Sequence, residues 1–316
     1  MQRVSVANPH EGESMSFDKC QTERTDRDLI MIDELKASIK NFEAAKNTFS
    51  SDGLYLSLLD IVLFESIKTE IGNFRTGTFP MSQRIYPKGA KFTRIRKLDF
   101  IDHNFTYGDF WEPPKKYINE GRLNKKSEQL LYMTEGELMS PMKEVGIKIS
   151  DKFIIMFYEA RCDITLTEIG WNIIESNSHS EIGLLIKNFI DRIFSRKGSD
   201  AYLLSELVAK KINTSKAHGW CYPSIARDSG INVCLNVENK NYIELFGVQC
   251  CEMLENGKFI TKAVCDVSDK ESIVSITDPE QVKIAIEAMF NKFTETIDSA
   301  HLENYDTTVK YQLIEV

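Results

Sequence analysis

The side chains of this 316-residue chain that could do chemistry fall in four places. The first is Phe92-Thr93-Arg94-Ile95-Arg96. Alternation there sends both guanidiniums off one face of a strand while Ile95 enters the core. Guanidinium forks grip phosphate oxygens through directed, charge-assisted bonds; the structural alternative is an edge strand protected by its own charges. The second is Gly121-Arg122-Leu123-Asn124, which closes a long irregular segment over 107–127. Loops of that length inside a compact domain are usually functional or disordered. The third is Glu144, at the end of a helical stretch that follows a short apolar strand over 129–133. A carboxylate can stabilise a developing cation, although an isolated Glu is most often a solvated surface residue. The fourth is Ser224, in Gly219-Trp220-Cys221-Tyr222-Pro223-Ser224. Pro223 fixes its own φ and biases Tyr222 toward extended geometry, so Ser224 is presented directly after a strand. A turn over 227–230 and a second apolar run, Ile231 to Leu235, complete a β-hairpin with the Ser at its rim.

Several classes are excluded by what the chain lacks. It carries no G-x-S-x-G serine-hydrolase signature, no Rossmann G-x-G-x-x-G and no Walker motif. The five His are scattered and the seven Cys show no C-x-x-C spacing, which points to a metal-free protein with reduced thiols. A net charge of -8 argues against a broad nucleic-acid footprint, while leaving room for a local basic pocket that takes a phosphorylated small molecule. No window approaches the roughly 20 apolar residues of a membrane span. The start, with Glu11, Glu13 and Asp18 and no apolar core, is not that of a signal peptide. The expectation is a cytoplasmic protein with no membrane partner and no direct nucleic-acid partner.

The elements that must position these residues are of mixed kind. Residues 1 to about 25 are polar and read as a flexible start. Ile32, Leu35, Ile39 and Phe42 recur at helical spacing, and Leu54 to Ile71 reads as a well-buried helix stopped by Gly72, Gly77 and Pro80. This predicts an N-terminal helical region over 1–80 and a second unit over 81–316. Strands are expected over 81–105 and over the continuous apolar run Phe153 to Tyr158, which is buried on both faces. A helix is expected over 135–145, with Pro141 complicating its middle. Helices follow over 181–195 and 202–212, then strands over 242–248 and 258–267. Asp278-Pro279-Glu280-Gln281 starts a helix running to about Ser299, and 309–316 could add an edge strand. The fold class is α+β, built on a strongly curved mixed sheet with flanking helices.

In that order the pieces resemble the RES domain: Phe92 to Arg96, Gly121 to Asn124, Leu131-Tyr132 followed by Glu144, then Tyr222-Pro223-Ser224 with Asn232-Val233. The resemblance covers roughly residues 85–250, and its most specific part is Gly-x-x-Tyr-Pro-Ser with the following Gly-x-Asn-Val. It implies an ADP-ribosyltransferase-like fold and an enzyme that consumes NAD⁺ as a substrate, with no cofactor. Nicotinamide–ribose cleavage by phosphorolysis or hydrolysis is the leading activity. Inorganic phosphate is a possible co-substrate and an antitoxin protein a possible partner. Carried across, the site is Arg94, Arg122, Glu144 and Ser224, with Tyr132 placed to pack on the nicotinamide and Glu137 as the alternative carboxylate. Protein ADP-ribosylation is the second activity implied. A catalytically silent, partner-binding module is the reading from another class.

Overall fold

The computed structural model describes residues 26–45, 69–71, 74–101, 104–136, 138–169, 181–195, 202–213, 217–224, 230–255, 257–294 and 310–315. Its strands are β1 (Thr69–Ile71), β2 (Phe74–Tyr86), β3 (Lys91–Leu98), β4 (Leu130–Glu135), β5 (Lys152–Ala160) and β6 (Ile164–Glu168), then β7 (Gly219–Pro223), β8 (Ile231–Asn236), β9 (Ile243–Met253), β10 (Phe259–Asp266), β11 (Val274–Ile276) and β12 (Lys310–Glu315). They form one mixed sheet in the order β1-β2-β6-β7-β8-β4-β3-β5-β9-β10-β11, with β12 alongside β2. All pairings are antiparallel except β6 with β7. The helices are α1 (Asp26–Ala45), α2 (Met139–Val145), α3 (Glu181–Phe194), α4 (Tyr202–Ile212) and α5 (Pro279–Thr294). Asp278 caps α5 by accepting from the Gln281 backbone N–H at 3.1 Å.

The sheet has a weak centre. β3 and β4 pair only at Phe92–Glu135 and Thr93–Thr134. Beyond Thr93, β3 continues along β5 alone, while β4 continues along β8. Two half-sheets therefore meet at a junction of two residue pairs and separate from Arg94 onward.

Alternation across the strands sorts the core. On one face Phe92, Met133, Val233, Met156, Tyr158 and Cys250 pack together beneath Phe110 and Trp111. On the other face lie two separate clusters. Ile95, Ile155 and Phe157 pack with Met142 of α2 and with Val282 and Met289 of α5. Trp220, Tyr222 and Cys234 pack with α1, α3 and α4 through Phe42, Phe189 and Val208. Each large apolar side chain buried this way contributes about 1.5–3 kcal/mol.

The expected boundary at 80/81 falls inside a strand, because β2 begins at Phe74 and passes through Gly77 and Pro80. The expected helix over 54–71 lies mostly outside the described residues, and its last three are strand β1. Leu35, Ile39 and Phe42 of α1 are buried in the same cluster as the β7–β8 hairpin.

Candidate functional site

Between the two helix-covered clusters runs a buried polar row. Thr93, Thr134, Asn232 and Tyr222 are cross-strand neighbours on β3, β4, β8 and β7, and all four are buried. Polar groups at inward positions need partners. Glu144 and Ser224 meet at Asn232. Ser224 Oγ donates to Glu144 Oε1 at 2.6 Å, and Asn232 Nδ2 donates to the same oxygen at 2.8 Å.

Local sequence explains how each arrives there. α2 starts at Met139, which places Pro141 in the first turn, where its missing N–H costs nothing. Glu135, expected in that helix, is the last residue of β4. Gly146 ends the helix in the left-handed region at φ 69°, its N–H bonded to the carbonyls of Met142 and Lys143. Glu144 thus sits in the last turn, where the helix dipole disfavours a carboxylate by about 0.3–1 kcal/mol. The two donors offset that cost. α2 packs on both β3 and β4, so it lies across the junction. Glu137 lies outside the described residues.

Ser224 follows Pro223 directly, and its N–H donates to the Gly230 carbonyl at 2.7 Å, closing the hairpin. Gly219 is the first residue of β7. A Cβ there would lie 2.0 Å from the Cys234 carbonyl oxygen, so only glycine allows the two strands to approach.

Tyr222 is drawn into the same group. Burial, then the nearby Glu144 charge, push its phenol pKa well up, a rise that the neighbouring Asn232 side chain partly counters. The Arg122 charge also acts on it. Arg122 donates to the Phe194 carbonyl and lies 5.7 Å over the Tyr202 ring.

Tyr132 holds the loop that carries Arg122. Its hydroxyl donates to Asn124 Oδ1 at 2.9 Å and accepts from the Leu123 N–H at 3.2 Å. Burial drives its pKa well up.

Arg94 is the first residue past the junction and shares its face with Met156, opposite to Thr93. Its guanidinium donates to the Trp111 carbonyl. Arg96 donates to the Asp109 carbonyl at 2.6 Å, and Tyr158 to the Phe110 carbonyl. Three consecutive carbonyls of the 107–127 segment are thereby pinned to β3 and β5. Burial, and then neighbouring Arg94, lower the Arg96 pKa. The Arg94 charge acts on Tyr158 of one half-sheet and Cys234 of the other.

The structure therefore brings together Glu144 and Ser224, with the Arg122 charge acting on the adjacent Tyr222; Arg94, on the face of β3 opposite to Thr93, is not brought into this group. Asn232 enters the sequence reading only as part of the Gly-x-Asn-Val motif, with no role at the site. Its signal was a lone amide inside the apolar run Ile231 to Leu235, at the parity of Cys234. A separate cavity of about 320 Å³, bordered by Tyr107, Gly247, Asp266, Lys270 and Met289, is lined by none of the expected site residues.

Among the described residues, no cluster of three His, Cys, Asp or Glu is arranged to hold a metal, and no helix is long and apolar enough to cross a membrane. No family model, curated protein or solved structure matches the chain.

Proposed function

We propose that this chain cleaves the nicotinamide–ribose bond of NAD⁺, by phosphorolysis or hydrolysis, as a RES-type toxin with an ADP-ribosyltransferase-like fold. The observation that carries the reading is the hydrogen bond between Ser224 and Glu144, whose types and order match the family's site.

The chemistry fits those groups. As the C1′–N bond breaks, its electron pair leaves with the pyridine nitrogen, so nicotinamide departs neutral and needs no proton. Positive charge grows on the ribose, and a fixed carboxylate stabilises it. Glu144 Oε1 is held by Ser224 and Asn232; among the described residues Oε2 takes no protein hydrogen bond, which leaves it for a ribose hydroxyl or the cation. Hydrogen phosphate, or water with release of a proton to solvent, then forms the new bond at C1′. Arg94 and Arg122 each donate to a main-chain carbonyl, and a guanidinium carries five N–H donors in a fork that suits a pyrophosphate. Tyr132 keeps the Arg122 loop in place and offers a ring edge for the nicotinamide.

One observation favours a second reading, a silent partner-binding module. Both arginines serve as structural ties, roles that require no substrate.

Incubation of the purified chain with NAD⁺, with and without phosphate, decides. Nicotinamide with a phosphorylated ADP-ribose means phosphorolysis, and free ADP-ribose means hydrolysis. A labelled protein target instead means ADP-ribosylation. Intact NAD⁺ and no labelled target in either buffer would end the enzyme reading, and with it the case for a cognate antitoxin.

A further inference from the structure

We propose that Asn232 is a positioning residue that holds the Glu144 carboxylate in its working orientation, an inference that rests on the NAD⁺-cleaving reading above. The two donors to Glu144 Oε1 are not equivalent. Ser224 is the first residue beyond β7, outside the ladder of the sheet. Asn232 is 4% exposed and lies inside β8, with Tyr222 of β7 on one side and Thr134 of β4 on the other.

A carboxylate only accepts, so the bond to Glu144 sets which end of the Asn232 amide faces it. The nitrogen points to Glu144 at 2.8 Å, and buried Tyr222 is the cross-strand neighbour of Asn232 on β7. The result is a chain from the sheet to the carboxylate: Tyr222, Asn232, Glu144. It matters because α2 has only seven residues and joins the sheet mainly through Met142. Short helices hold a terminal side chain loosely, and an electrostatic stabiliser works only when it does not reorganise during the reaction. By taking Oε1, Asn232 directs Oε2 outward. Residues that touch substrate are then Glu144 and Ser224, and Asn232 acts through Glu144.

The test is a kinetic and thermal double-mutant cycle of Asn232→Ser and Asn232→Asp with Glu144→Gln. Asn232→Ser is expected to lower kcat about 10- to 100-fold, the worth of one hydrogen bond to a charged group, with KM for NAD⁺ changed less than about threefold. Asn232→Asp, of the same shape but without the donor, is expected to lose more. In the Glu144→Gln background neither change should lower kcat much further. Multiplicative losses in kcat overturn the proposal, because they show that Asn232 acts on something other than Glu144. A KM rise without a kcat loss overturns it as well.

Melting temperatures of the same variants separate this failure from that of the enzyme reading. If wild-type protein leaves NAD⁺ intact but the Tm losses are non-additive, the contact stands and only the reaction is wrong. Additive Tm losses remove the contact itself, whatever the activity. If Asn232→Ser does not fold, Asn232→Asp carries both measurements.

Discussion

Ser224 and Glu144 are 80 positions apart in the chain, yet their side chains meet at 2.6 Å over a buried row of polar residues. The pairing joins a short helix that lies across the junction of the half-sheets to the residue that follows β7. A site at that junction follows from the strand pairing, because β3 and β4 hold together over only two residue pairs.

If the carboxylate works in the transition state, Glu144→Gln keeps the shape and removes the charge. Nicotinamide release should fall about 100-fold or more in kcat, with KM for NAD⁺ nearly unchanged, because the charge matters most once the cation has formed. Steady-state kinetics over a range of NAD⁺ concentrations checks it. Equal rates for the variant and the wild type would show that another carboxylate does the work.

Ser224→Ala should lower kcat about tenfold, in the range of one charge-assisted hydrogen bond. No ribosylated Ser224 should form at any stage. Intact-mass measurement of the protein during turnover tests this, and a covalent adduct on Ser224 would reassign it as a nucleophile.

Arg94→Ala should act on two quantities at once. On the proposed NAD⁺ reading it removes a guanidinium for the pyrophosphate, which should raise KM for NAD⁺ about tenfold or more with a smaller effect on kcat. It also frees the Trp111 carbonyl, so amide exchange over 107–111 should quicken. A faster-exchanging turn with unchanged KM would assign Arg94 to structure alone.

Gly219→Ala should destabilise the fold by about 3 kcal/mol or more, because its Cβ would lie 2.0 Å from a backbone oxygen that cannot move without parting β7 from β8. Urea denaturation reads the loss directly. A change within about 0.5 kcal/mol would mean that the hairpin can open there at little cost.

Alkaline pH offers a further check on the pinned turn. Burial raises the Tyr158 pKa to about 12, from an ordinary value near 10. The folded chain keeps the proton that the unfolded chain releases, so this contribution is complete below about pH 10 and is lost as pH rises through about 12. Stability should fall across that window by up to about 1.4 kcal/mol per pH unit from this group. Tyr132 and Tyr222 are raised in the same direction, so Tyr158→Phe should make the fall shallower without abolishing it. Denaturation midpoints at pH 9 to 12 for both proteins test the difference.

What the sequence alone determined is local. The continuous apolar run in β5, the helical spacing in α1, α3 and α4, the Asp cap of α5 and the hairpin that ends at Pro223 are each set by neighbours within a few residues. The same reading named Glu144 and Ser224, through the order of short motifs rather than through any contact between them. It misplaced β1 and the start of β2, because Gly77 and Pro80 look like breakers until β12, more than 200 residues on, pairs with that strand. Tertiary structure alone decided the rest: the two-pair junction, the carbonyls that occupy Arg94 and Arg96, and the place of Asn232 between Tyr222 and Glu144. Strand neighbours and hydrogen-bond partners across 80 or 88 residues leave no trace in a local period, since the chain must close on itself before either contact exists. Glu144 was legible as a residue type; its held oxygen became visible only in the fold.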